Sequence, residues 1–154
     1  MSAGAKPAQA ERIIQVPLPT KSPEAQETLF FDAAALMHHV GGDRELLREI
    51  IAIFLATAPQ MLADVRGAIV SADGRKLEQA AHALRGAARN FFSPRVEQAA
   101  RVLEAMGQRR DMADARNAFG ALAAAVDKLL SLLESLVRGA PARGGPHDHS
   151  DRRR

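Results

Sequence analysis

Five apolar residues between positions 77 and 91 recur at the spacing of one face of an α-helix. At 3.6 residues per turn, steps of three and four residues return to the same side of a helix. The five residues are Leu77, Ala81, Leu84, Ala88 and Phe91. His82 lies on the opposite face, among charged residues and one glycine. The pattern predicts a helix that buries one side in a core and presents an imidazole to solvent.

The composition favours a helical domain. Apolar residues make up 47% of the chain and are mostly Ala and Leu, whereas aromatic residues make up 4% and are all Phe. Ala and Leu favour helices, while strands favour β-branched and aromatic residues. The absence of cysteine excludes disulfides, thiolate metal sites and cysteine nucleophiles. The sequence contains no apolar run of about 20 residues that would span a membrane, and its N-terminus lacks a hydrophobic signal core. We therefore expect a cytoplasmic protein.

Capping residues and helix breakers divide the chain into five predicted helices, the first of them short. Their predicted starts are Asp32, Asp43, Asp73, Ser93-Pro94 and Asp111. Their predicted ends are Gly41-Gly42, the turn at 71–74, Phe91–Ser93, Gly107 and Gly139. Each of the four longer segments carries one apolar face, and short connections join them. We predict an all-α fold, an antiparallel four-helix bundle with a short additional N-terminal helix.

The ends of the chain differ in composition from this bundle. Residues 1–28 are rich in proline and small polar residues and are predicted to be a disordered arm or linker. The bundle is predicted over residues 29–138. Residues 139–154 are predicted to be a disordered basic tail, because they consist mostly of glycine, proline, arginine, histidine and aspartate.

The net charge of +3 comes from the arginines of residues 138–154, so the remaining chain is electrically balanced. A nucleic-acid-binding domain carries its excess positive charge on the folded body. We therefore expect no nucleic-acid partner for this chain.

The residues around the histidine resemble a known family. The motif His-x-Leu-Arg-Gly-Ala-Ala-x-Asn at residues 82–90 is similar to that of the histidine phosphotransfer (HPt) domain of two-component phosphorelays. The resemblance runs from about Asp32 to Val137 and includes the blocks 41–47 and 99–104. It implies a phosphoprotein of signal transduction that carries a phosphoryl group and is not an enzyme. His82 would accept the group from the aspartyl phosphate of one receiver domain and pass it to another receiver's aspartate.

The resemblance also suggests roles for the neighbours of the histidine. Gly86 would clear space for the phosphoryl group, since glycine inside an exposed helix is otherwise unfavourable. Arg85 and Arg89 would offset the phosphoryl charge. Glu78 or Gln79 would accept the proton on the second ring nitrogen and so orient the tautomer.

The partners follow from the same resemblance. They are response-regulator receiver domains and a hybrid histidine kinase, with no small-molecule substrate. The chain needs no cofactor or metal of its own, because the receiver would supply Mg²⁺. Two positions depart from the family pattern: Arg85 replaces a lysine, and Phe92 stands where glycine is common. Phe92 is therefore a candidate docking residue.

Other readings stay open at this stage. The chain could be a helical adaptor that binds a receiver or kinase without phosphotransfer. His38 and His39 are adjacent and point apart on a helix, so a surface or structural role is expected. The motif His147-Asp148-His149 lies in the predicted tail, where a solvated end is expected. Charged residues of the fourth helix, Glu97 and Glu104 among them, are expected on a solvated face.

Overall fold

The computed structural model describes residues 30–139, and within that range the chain forms five helices. They are α1 (Ala33–His39), α2 (Arg44–Val70), α3 (Gly74–Arg89), α4 (Pro94–Arg109) and α5 (Ala115–Gly139). The four long helices pack in a ring, in which α3 contacts α2 and α4, and α5 closes the ring between α4 and α2. The short α1 lies against α2. The predicted all-α four-helix bundle is confirmed, whereas the predicted arm and all of the predicted tail except Gly139, the last residue of α5, lie outside the described residues.

Three aspartates cap helices as their sequence positions predict. The Asp32 carboxylate accepts the Ala35 backbone N–H at 2.9 Å. Asp43 accepts two backbone N–H groups at the start of α2, and Asp73 accepts the Lys76 N–H at 3.1 Å. Each bond satisfies a donor that the first helical turn leaves unpaired.

Three boundary details differ from prediction. Gly107 does not end α4, because it lies buried inside that helix against α3, and Arg110 takes the left-handed end conformation at φ 55°. Ser93 occupies the N-cap position of α4, but its hydroxyl makes no capping hydrogen bond. The fifth helix begins at Ala115, later than predicted, because Asp111 accepts the Ala113 N–H in a turn before the helix.

The predicted apolar stripe of α3 forms part of the core. Leu77, Ala81, Leu84 and Ala88 are fully buried, and Phe91 is 2% exposed. Burial of this face fixes the rotation of α3 about its axis, since a turned helix would lose the apolar contacts. The opposite face of α3 is thereby held toward solvent.

Among the described helices, α2 is long and apolar enough to cross a bilayer, judged by length and composition alone. The apolar stretch of α2 is nevertheless interrupted by the charged residues Asp64 and Arg66. The core helix of a water-soluble bundle meets the same criterion, and α2 packs Phe54, Ala58 and Val65 into the core. Its composition is therefore a weak indication of a membrane segment.

Candidate functional site

His82 lies at the middle of α3, on the face opposite the buried stripe. Its side chain is 66% exposed. The sequence-based prediction of an imidazole held toward solvent by a packed helix is therefore confirmed. One edge of the ring is nevertheless in contact with the neighbouring helix.

That contact is made by Glu104 of α4. The Nδ1 atom of His82 lies 2.7 Å from Oε1 of Glu104, within hydrogen-bonding distance. The Glu104 side chain is only 11% exposed. A nearly buried carboxylate needs charged or donating partners, because burial of an unpaired charge is strongly unfavourable. His82 is one such partner.

Arg85 is the second partner of Glu104. Its Nη2 atom donates a hydrogen bond to Oε1 at 3.2 Å, and its Nε lies 2.8 Å from Oε2. The Nε–H is not directed along that line, so this second contact is an ion pair rather than a hydrogen bond. Arg85 is 21% exposed. The guanidinium and the carboxylate therefore neutralise each other beside the imidazole.

The arrangement favours one tautomer of the histidine. A carboxylate oxygen accepts hydrogen bonds, so Nδ1 of His82 donates to Oε1 of Glu104 across 2.7 Å. Arg85 Nη2 also lies 3.3 Å from Nδ1, but a guanidinium only donates, so His82 Nδ1 and Arg85 Nη2 both donate to Oε1 and not to each other. Nδ1 then carries the ring proton, and Nε2 of a neutral imidazole carries the free lone pair. The nucleophilic atom is on the ring edge away from Glu104.

This geometry corrects two sequence-based expectations. The Nδ1 partner is Glu104, not Glu78 or Gln79, which instead line a shallow surface groove with His82 and Arg75. Glu104 does not lie on a solvated face. A signal was available in the sequence, since Glu104 lies four residues after Ala100 and three before Gly107, both of which face the core.

Gly86 and Arg89 lie on the same face of α3 as His82 and form no hydrogen bond or ion pair with Glu104 among the described residues. Gly86 is exposed one turn after the histidine, and a Cβ built there would meet no described atom within 4 Å apart from its chain neighbours and the backbone of its own helix. Arg89 is exposed at the end of α3. The roles of Gly86, Arg85 and Arg89 toward a phosphoryl group stay predictions.

Phe92 lies just beyond α3 and is half-buried. Its ring packs edge-on against His39 of α1, with ring centroids 5.8 Å apart. Its φ of 52° is left-handed, a conformation that glycine adopts without the steric cost of a Cβ. Its docking role stays a prediction. His38 and His39 are exposed, as expected, and residues 147–149 lie outside the described range.

Within residues 30–139, no group of three or more histidine, cysteine or acidic side chains is arranged to hold a metal ion. What the site offers is a single exposed imidazole with a fixed second nitrogen, backed by a carboxylate and a guanidinium. Such a group can act as a nucleophile toward a reactive centre that another molecule brings to it.

Comparison with known proteins agrees with this description. The solved HPT domain from the Hpt sensor hybrid histidine kinase of Shewanella is similar in fold, with a TM-score of 0.64 and 16% sequence identity. The similarity covers 75% of this chain and 99% of that one. No curated protein sequence matches the chain. The Hpt domain family matches residues 49–135, more than half of the sequence, and the chain therefore belongs to the Hpt domain family of phosphotransfer carriers.

Proposed function

We propose that this chain is a phosphorelay carrier whose His82 Nε2 accepts a phosphoryl group from a receiver-domain aspartyl phosphate and passes it to another receiver. The observation that carries the proposal is the Nδ1–Glu104 contact at 2.7 Å on an otherwise exposed ring. Glu104 keeps the proton on Nδ1, so that Nε2 keeps its lone pair for attack.

The transfer step balances without a base on this chain. The Nε2 lone pair forms the new N–P bond as the bond from phosphorus to the receiver's carboxylate oxygen breaks, and the bonding electrons leave with that carboxylate. The Nδ1 proton stays in place, so the phosphorylated ring becomes an imidazolium. Its positive charge develops beside Glu104, which stabilises it by Coulomb attraction and by the hydrogen bond.

The surroundings of the ring suit the approach of a second protein. The open space over Gly86 leaves room for a receiver's loops. Arg89 contributes an exposed cation on the histidine face, and Arg85 secures Glu104. The receiver would bring the aspartate and the Mg²⁺ that offsets the phosphoryl charge. A cytoplasmic hybrid histidine kinase is the proposed source of the phosphoryl group.

The test uses the full chain and a panel of receiver domains charged with radiolabelled acetyl phosphate and Mg²⁺. We expect label to move to this chain as an acid-labile, base-stable phosphohistidine. His82→Gln should abolish the transfer. His38→Gln removes another exposed imidazole on α1 and should transfer label like the unchanged protein.

The opposite results identify the alternatives. Label that persists in His82→Gln would contradict the assignment of the residue. A receiver that binds the unchanged protein without labelling it, and binds His82→Ala equally well, would show a helical adaptor rather than a phosphoryl carrier.

A further inference from the structure

Helices α3 and α4 approach each other closely at two glycines, Gly74 and Gly107. A Cβ built on Gly107 would lie 2.5 Å from the Glu78 backbone nitrogen and 2.6 Å from the Gly74 carbonyl oxygen. A Cβ built on Gly74 would lie 2.8 Å from the Gly107 carbonyl oxygen. These are backbone atoms and cannot rotate away, so any side chain at Gly107 would force the two helices apart.

This backbone contact lies about one helical turn from the histidine site. Gly107 follows Glu104 by three residues on α4, and Glu78 precedes His82 by four residues on α3. At about 1.5 Å of rise per residue, the two contacts are neighbours along the same helix pair. The separation of the helices at Gly107 is therefore transmitted to the gap that Glu104 spans.

The distance between α3 and α4 decides whether Glu104, which is rooted near the core, can reach the exposed ring of His82. Glu104 extends from a largely buried position to a ring that is 66% exposed, and it reaches Nδ1 at 2.7 Å. Helices with ordinary side chains between them lie about 8–10 Å apart, and glycine at the contact allows a closer approach. Glycine inside a helix is also unfavourable relative to alanine, so α4 keeps Gly107 at a cost.

We propose that Gly107, together with Gly74, is a positioning element of the phosphotransfer site. By setting the distance between α3 and α4, the two glycines place Glu104 against His82 and so fix the tautomer that leaves Nε2 free. The inference rests on the proposed function, because the rate it concerns is that of phosphoryl transfer through His82.

The test compares the full-length variants Gly107→Ala, Glu104→Ala and the double substitution. Transfer from a phosphorylated receiver should be slowed roughly 10- to 100-fold in Gly107→Ala, the range seen when a metal-binding histidine loses its orienting partner. The double variant should be no slower than Glu104→Ala, because both changes remove the same contact. The Nδ1 resonance in ¹⁵N NMR should shift alike in all three.

Two further variants keep the result interpretable. Gly120→Ala adds a methyl group to an exposed site on α5 with no described atom within 4 Å, and it should leave rate and NMR spectrum unchanged. Gly74→Ala introduces a milder clash and decides the matter if Gly107→Ala does not fold by circular dichroism.

The proposal is overturned if Gly107→Ala, or Gly74→Ala where Gly107→Ala does not fold, has the same transfer rate and the same Nδ1 resonance as the unchanged protein. It is also overturned if the double variant multiplies the two defects, since that would show independent effects. Label transfer to His82→Gln would instead contradict the proposed function, because the phosphoryl group would then not pass through His82. The failure of the proposed function can therefore be told apart from the failure of the inference about the two glycines.

Discussion

Nδ1 of His82 and Oε1 of Glu104 lie 2.7 Å apart, although the two residues are on different helices and 22 positions apart in the chain. The contact joins an exposed ring to a carboxylate at the edge of the core. The bundle therefore does more than display the imidazole. It fixes which ring nitrogen carries the proton.

Replacement of Glu104 by alanine should alter the tautomer and slow phosphotransfer. Without the carboxylate, no described acceptor holds the Nδ1 proton, and part of the imidazole population will carry its proton on Nε2, where it blocks attack. We expect a roughly 10- to 100-fold lower transfer rate. ¹⁵N NMR of the imidazole, with rates measured in parallel, checks both effects.

Glu104→Gln is the matched control for this prediction. The amide oxygen can still accept the Nδ1 proton, but the negative charge is lost. The tautomer should stay close to that of the unchanged protein while the rate falls by a smaller factor than in Glu104→Ala. Equal rates in all three proteins would show that Glu104 has no part in the transfer.

The Arg85–Glu104 ion pair should couple more strongly than an exposed pair of similar length. Arg138 and Glu134 are 2.7 Å apart but have side chains that are 76% and 47% exposed. Such surface pairs contribute about 0.3–0.5 kcal/mol. For Arg85 and Glu104, less exposed to screening water, we expect a coupling free energy of about 1–2 kcal/mol.

Double-mutant cycles by urea unfolding, with alanine at each position, measure the two couplings. Each cycle uses the unchanged protein, two single variants and the double variant at one ionic strength. A coupling for Arg85 and Glu104 no larger than that of the surface pair would mean that their partial burial adds nothing to the interaction.

Gly86→Ala should change stability and transfer in opposite directions. A methyl group there meets no described atom within 4 Å, so the fold should gain about 0.5–1 kcal/mol from the higher helix propensity of alanine. The same methyl group occupies space that the proposed function reserves for the receiver. A misfit of about 1 Å can slow a reaction up to about 100-fold, so we expect transfer to slow at least tenfold.

The control for Gly86 is an open, exposed helical glycine on a helix that does not carry the site. Gly120→Ala on α5 should raise the unfolding free energy by a similar amount and leave transfer unchanged. A Gly86→Ala protein that is more stable and equally fast would remove the argument that its bare backbone serves a partner.

Local patterns were enough to predict the bundle and the orientation of His82. The stripe from Leu77 to Phe91 and the three aspartate caps depend on interactions within a few residues, which sequence spacing records directly. The Glu104 contact depends instead on the register between α3 and α4. That register is set where Gly107 meets Glu78, and no periodicity within one helix specifies it.

Gly107 shows why the contact between α3 and α4 could not be predicted from the sequence. Glycine just after an apolar helical pattern favours a helix end, so the sequence predicts that α4 ends at Gly107. In the structure, α4 continues past Gly107, and glycine is required there because α3 approaches too closely for a side chain. The helix ends instead at Arg110, although its φ of 55° is one that glycine adopts more easily. Tertiary packing thus overrides the local preference at both positions.

Two N-cap residues should respond differently to alanine although both types favour that position. The Asp73 carboxylate accepts the Lys76 N–H at 3.1 Å, so Asp73→Ala should lower the unfolding free energy by about 1 kcal/mol. The Ser93 hydroxyl is buried and has no hydrogen-bond partner among residues 30–139. Removal of an unsatisfied buried hydroxyl should be neutral or stabilise the fold by up to about 1 kcal/mol. Urea unfolding of both variants measures the difference, and a loss in Ser93→Ala as large as in Asp73→Ala would mean that the serine hydroxyl caps α4 in solution.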